Sequence, residues 1–160
     1  MADTNTLYDT DFLRWTEEQA KALRRAPESL RGSNLPLDWE NLAEEIESLG
    51  ISQRAALRAQ VRRVLHHLFK LEASPASEPR AGWRRSIRDA RDEIEDILQD
   101  SPSLRREVAE LVAAQTARAA RSAASDLAEH GESADAIQAR LDTGGFTADD
   151  AVGDWFPDGA

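Results

Sequence analysis

The 160-residue sequence predicts an all-α fold, a bundle of about five to six helices with an antiparallel four-helix core. Three observations predict it. Ala, Arg, Glu and Leu dominate while Thr, Tyr and Val are sparse, which is a helix-forming composition. Apolar residues recur three and four positions apart along most of the chain, and no stretch alternates with the period of a strand. Pro, Gly and Ser fall between these periodic segments, where helices have to stop.

The first helix is expected over about Asp9–Ala26, capped by Asp9 or Thr10 and stopped by Pro27. Residues 27–36 read as a loop. A second helix starts after Pro36 or Asp38 and ends at Gly50, with Trp39, Leu42, Ile46 and Leu49 as its apolar stripe. Ser52 caps a third, whose seam is Leu57, Val61, Val64, Leu68 and Leu71. A Pro- and Gly-containing break over residues 73–82 leads to a fourth helix, to Gln99, with Trp83, Ile87, Ala90, Ile94 and Ile97 in line. Ser101 and Pro102 open a fifth helix reaching about Ala128. Its axis is Leu104, Val108, Leu111, Gln115 and Arg118, and its later apolar side is only alanine. Ser133 and Thr147 mark two short helices in an acidic tail where Trp155 and Phe156 serve as anchors. Residues 1–130 form the bundle and residues 131–160 an acidic segment of the same domain that wraps back onto it.

The net charge of −10 is unevenly spread. Residues 1–50 hold 11 acids and 5 bases, residues 51–122 hold 10 and 14, and residues 123–160 hold 9 and 1. There is no cysteine, which excludes disulfides and thiol chemistry and suits a reducing cytoplasm. No run approaches the roughly 20 apolar residues of a membrane span, and the first 30 residues lack the apolar stretch of a signal peptide. A cytoplasmic location without membrane association is therefore expected.

Six segments, YDTDFLRWTEEQAKALRR, LDWENLAEEIESLG, LHHLFKL, GWRRSIRDARDEIEDIL, DSPSLR and DWFP, stand in this order between Tyr8 and Pro157. Together they resemble the bacterial family catalogued as domain of unknown function 29. The resemblance implies an all-helical fold. It attaches no activity and carries over no catalytic residue. Residues 128–146 fit the family pattern least well.

Chemistry is narrowed mostly by exclusion. There is no phosphate-binding glycine loop and no H-E-x-x-H. The Glu-x-x-His pairs of di-iron bundles are missing, since Arg63, Val64 and Leu127 stand three before His66, His67 and His130. On helical wheels Glu45, His67, Ser86 and Arg91 border the apolar stripes, and they form the candidate buried polar cluster. A carboxylate and an imidazole at a helix interface suit a proton relay or a small-ligand site, or else an internal partnership that fixes register. Two candidate ligands fall short of a metal site, and no catalytic residue, metal or cofactor is expected. His66 falls on the face opposite the third helix's seam.

Arg54, Arg58 and Arg62 line one ridge of the third helix, and Arg84, Arg85 and Arg88 crowd the fourth. This candidate basic patch suits an anion or nucleic acid, but the acidic chain and the scarcity of stacking aromatics disfavour nucleic acid. Ion pairing with Glu40, Glu44 and Glu47 on one side, and with Asp92, Glu95 and Asp96 on the other, is the simpler account. The reading that needs fewest missing parts is a non-catalytic helical interaction module with a protein partner or a second copy. The alternatives are a small-ligand or metal-binding bundle centred on Glu45 and His67, and anion binding by the arginines.

Overall fold

The computed structural model describes residues 4–32 and 34–157. Among them there are eight α-helices, one 3₁₀ helix and no strand. The helices are α1 (Thr4–Thr10), α2 (Phe12–Arg24), α3 (Glu28–Arg31), α4 (Trp39–Ala73), α5 (Arg80–Asp100), α6 (Val108–Glu129), α7 (Asp135–Asp142) and α8 (Ala148–Val152). The all-α class and a core of packed helices are as expected; eight described helices stand where five to six are expected. The expected second and third helices are one 35-residue helix, α4, which runs through Gly50 and Ser52 without a break. The antiparallel pairing those two were to make is absent.

The chain divides into two compact units, residues 1–56 with 97–105, and residues 57–96 with 106–160. In the first unit Gly50 explains why α4 does not stop. A Cβ built there would lie 2.5 Å from Thr16 Oγ1 and 3.0 Å from Leu13 Cδ1. The glycine is a close-approach position between α2 and α4, and not a helix terminator. Ala20 and Ala43, at most 1% exposed, continue the small-residue contact face. Asp38 caps α4 as expected, accepting from the Asn41 N–H at 3.2 Å. The expected first helix breaks at Asp11, which caps α2 by accepting from the Arg14 N–H at 3.2 Å.

Asp11 also accepts from the Ser103 N–H (3.0 Å) and hydroxyl (2.9 Å). Ser101 in return accepts from the Leu13 N–H at 3.1 Å. Each helix start thus satisfies a donor of the other, which couples α2 to the 3₁₀ turn Pro102–Glu107.

The core of the second unit is built on residues 57–73 of α4. Leu57, Val61, Val64, Leu68 and Leu71 are at most 2% exposed, as their spacing predicts, and Leu65 and Phe69 beside them are buried as well. Ile87, Ala90 and Ile94 bury the facing stripe of α5. On α6 the buried face is Val108, Val112, Ala119, Ala120, Ala123 and Leu127. The expected axis through Leu111, Gln115 and Arg118 is therefore displaced: Arg118 is exposed and the alanine half packs tightly. Arg80 donates to the Leu71 and Ser74 carbonyls at 2.9 and 3.0 Å, closing the C-terminus of α4.

Candidate functional site

Arg91 sits on the buried face of α5, four residues past Ile87, and is 9% exposed. Its guanidinium donates to three carbonyls: Ala151 at 3.0 Å, Asp150 at 2.8 Å and Trp155 at 2.7 Å. Phe156 covers it, with ring and guanidinium carbon 4.9 Å apart, and Arg84 lies over the same ring at 4.6 Å. Arg91 is thus committed to holding the C-terminal segment. Asp150 and Ala151 offer carbonyls there because they lie in the last turn of α8, where no following N–H takes them, and Thr147 and Asp150 fix the start of that helix with a reciprocal capping box. Phe146 secures it further, 4.8 Å from Phe69 and 6.0 Å from Trp155. Glu72 and Arg140 tie α4 to α7 through a two-pronged ion pair, with Nε to Oε2 at 2.9 Å.

The other three cluster residues do not join Arg91. Glu45 is exposed on α4 in the first unit, and the same continuous helix carries His67 twenty-two positions later. Ser86 is half-buried on α5. His67 is half-buried, its Nδ1 is enclosed without a hydrogen-bond partner, and its ring meets His66 edge-on at 5.0 Å. Burial, then the neighbouring His66, Lys70 and Arg63 charges, lowers its pKa to about 4. It stands as a neutral imidazole at neutral pH.

The polar network that does form uses His66, which the wheel had turned away from the core. His66 Nε2 lies 3.1 Å from Asp126 Oδ2 and Lys70 Nζ lies 2.9 Å from the same oxygen. Lys70 also covers the Trp83 ring at 4.7 Å. Burial pushes the Asp126 carboxyl up, but the Lys70 and His66 contacts outweigh it and its pKa is lowered. Burial also lowers that of His66, against the pull of Asp126. A cleft of about 710 Å³ opens beside this network, walled by Trp83, Leu127, His130 and Glu132. Among the described residues no three His, Asp or Glu side chains are grouped to hold a metal ion.

The expected basic patch divides. Arg54 pairs with Glu17 at 2.8 Å, and Glu40 and Glu47 are taken by Arg24 of α2, at 3.6 and 2.7 Å. Arg58, Arg85 and Arg88 are exposed. Arg62 instead reaches Gln115 of α6, at 3.4 Å. There Arg62, Arg63 and Arg118 line a second cleft of about 370 Å³. This grouping is encoded by Ala59, Arg62, Arg63 and His66, spaced three, one and three on α4, and by Gln115, Arg118 and Ser122 on α6. Placing Arg118 on the buried axis of its helix hid it.

Residues 7–140 match the sequence profile of a family described as a domain of unknown function, DUF29. The chain belongs to this family. No curated protein matches it. An α-helical protein of unknown function from Rhodospirillum rubrum is similar in structure, with a TM-score of 0.74 and 25% sequence identity over 93% of this chain and 90% of that one.

For this DUF29 protein the recognisable segments have distinct uses. GWRRSIRDARDEIEDIL supplies Arg91, and DWFP supplies both the Trp155 carbonyl and the Phe156 ring that receive it. LDWENLAEEIESLG has a different fate: of its apolar residues only Ala43 is fully buried, and Leu42 and Leu49 are 39% and 47% exposed. No described helix of this DUF29 chain is long and apolar enough to cross a membrane.

Proposed function

We propose that this DUF29 protein is a cytoplasmic, non-catalytic interaction module that docks a basic amphipathic helix on the first half of α4. One observation carries the reading. Trp39, Leu42, Ile46 and Leu49 follow the three-four-three spacing of a coiled-coil seam, and its two leucines are exposed while Trp39 and Ile46 are half-buried. The helix packs most closely through Ala43 and Gly50, roughly 90° around its circumference, which leaves Leu42 and Leu49 39% and 47% exposed. Burying a whole Leu side chain contributes about 1.5–3 kcal/mol, and a partner helix covering what remains of Leu42 and Leu49 would recover less than half of that for each. Leu30, Leu35, Leu37 and Ile51, 46–60% exposed, add apolar surface in the same unit.

Charge selects the partner. From Trp39 to Gln53 the helix carries Glu40, Glu44, Glu45 and Glu47 and no Lys or Arg; Arg24 of α2 pairs with Glu40 and Glu47, and Glu44 and Glu45 are exposed. Glu45 flanks the seam on its solvent side, in line with Asp38 one heptad earlier. A second copy would bring these acids against one another, whereas Lys and Arg beside a leucine stripe would complement them. The absence of cysteine suits a reducing cytoplasm.

Isothermal titration against two designed amphipathic helices tests this, one flanking its leucine seam with Lys and the other with Glu. The Lys-flanked helix is expected to bind, and Leu42→Ser with Leu49→Ser to abolish binding without lowering the melting temperature. No binding, equal binding of the Glu-flanked helix, or binding that survives the double substitution overturns the proposal. Sedimentation of the chain alone as a dimer, dispersed by the same substitutions, would assign the seam to a second copy.

A further inference from the structure

We infer that the cleft between α4 and α6 is a binding site for a phosphomonoester dianion. Three guanidinium groups, from Arg62, Arg63 and Arg118, line about 370 Å³ with His66 and Ser122, over a floor of Ala59 and Ala119. No carboxylate lines it, in a chain whose net charge is −10. Arg63 and Arg118 are exposed and make no hydrogen bond or ion pair among the described residues. Arg62 makes only the long, neutral contact to Gln115. Asp126, one turn beyond Ser122 on α6, is already shared by Lys70 and His66.

Five arginines elsewhere are held by acids, carbonyls or an aromatic ring: Arg24 by Glu47, Arg54 by Glu17, Arg140 by Glu72, Arg91 by three carbonyls, Arg84 by Phe156. Arg58, Arg85 and Arg88 are exposed and, among the described residues, line no cleft with a second arginine. Arg62, Arg63 and Arg118 bring three like charges to the lining of one cleft. That arrangement is unfavourable until an anion enters, and guanidinium forks match the oxygens of a tetrahedral phosphoryl group. The floor is alanine on both helices, so the anion can approach the helix surfaces while the longer side chains close over it. Ser122 supplies a neutral hydroxyl donor. The cleft has room for a phosphoryl group with its ester, and no Trp, Tyr or Phe lines it to stack a base.

Calorimetric titration at constant ionic strength provides the test. Glycerol 3-phosphate and inorganic phosphate are the soluble probes. Phosphatidylcholine vesicles with and without phosphatidic acid present the same headgroup on a surface. Saturable binding of the soluble phosphate esters is expected, weakened about tenfold or more by Arg118→Gln or Arg63→Gln, with Arg118→Lys intermediate. Arg58→Gln removes a charge from α4 outside the cleft and is expected to leave binding unchanged. Retention on the phosphatidic acid vesicles alone, lost in Arg118→Gln, keeps the phosphomonoester chemistry and assigns its source to a lipid surface. The inference falls if phosphate binds no better than chloride at equal ionic strength. It also falls if Arg58→Gln weakens binding as much as Arg118→Gln does, since the attraction would then be diffuse. Both cleft arginines are solvent-exposed, so an unchanged melting temperature in the variants separates lost binding from lost folding.

Discussion

The two halves of α4 use the same apolar spacing in opposite ways. From Leu57 onward the three-four seam is at most 2% exposed and forms the core of its unit. From Trp39 to Leu49 no residue of the seam is fully buried, Leu42 and Leu49 are exposed, and the buried contact is made by Ala43 and Gly50. Periodicity shows that a helix has an apolar face; it does not say who covers that face. Coverage depends on the small residues, because helices approach most closely where side chains are shortest, and α2 brings Leu13, Thr16 and Ala20 to the glycine side of α4.

The sharpest way to break this comparison is one leucine truncation in each half. Leu68 is fully buried, and Leu68→Ala is expected to cost about 2–5 kcal/mol in urea unfolding, through lost burial and the cavity left behind. Leu49 is 47% exposed, and Leu49→Ala is expected to stay within about 0.5 kcal/mol. Comparable losses at the two sites would mean that the outward seam is covered within the chain, and the docking proposal would fall with it.

Gly50→Val gives the next largest effect. As a helix terminator Gly50 would tolerate change poorly because of its backbone, but it lies mid-helix without a positive φ. Its restriction is the space beneath it, where Thr16 Oγ1 stands 2.5 Å from a built Cβ and Thr16 is fully buried. Overpacking is expected to destabilise by about 1–3 kcal/mol, offset in part by the better helix propensity of the new residue. Thr16→Ala in the same chain is expected to recover part of the loss. A stabilised Gly50→Val protein would show that the α2–α4 approach is looser than described.

Much of the fold was legible from residues 57 to 100, where long seams, caps and breaks agree with one another. It was less legible around Gly50, where one residue type serves as both a terminator and a spacer, and only the partner helix decides between them. The site followed the same pattern. Arg91 was recognised as bordering a buried stripe, but its acceptors are main-chain carbonyls sixty residues away, which no side-chain pattern encodes. His66 was placed on a solvent face because the wheel assumed a single seam. Residues 57–73 of α4 are covered over a wider arc that includes Leu65 and Phe69, and Asp126 of α6 completes it on the side of His66. Reading Gln115, Arg118 and Ser122 against Arg62, Arg63 and His66 as two matching polar ridges would have located the arginine cleft.

Acid titration probes the covered half alone. His67 has a pKa of about 4, below its ordinary 6.5, because burial and the charges of His66, Lys70 and Arg63 oppose a second positive ring, with Asp126 acting the other way. Burial lowers His66 too. Between pH 6.5 and 4 the unfolded chain therefore binds protons that the folded chain refuses, so stability is greatest above pH 6.5 and declines as pH falls through that window. A single histidine contributes a slope of at most about 1.4 kcal/mol per pH unit there, less for a half-buried ring. The lowered Asp126 carboxyl acts at lower pH, losing its contribution only as pH falls below its ordinary value of 3.8. Urea unfolding midpoints between pH 7.5 and pH 5 should fall in the wild type, and His67→Met should flatten that dependence while His66 keeps part of it. An identical slope in His67→Met would show that the ring is solvated in the folded protein, and that this half of α4 is less fully covered than its buried leucines imply.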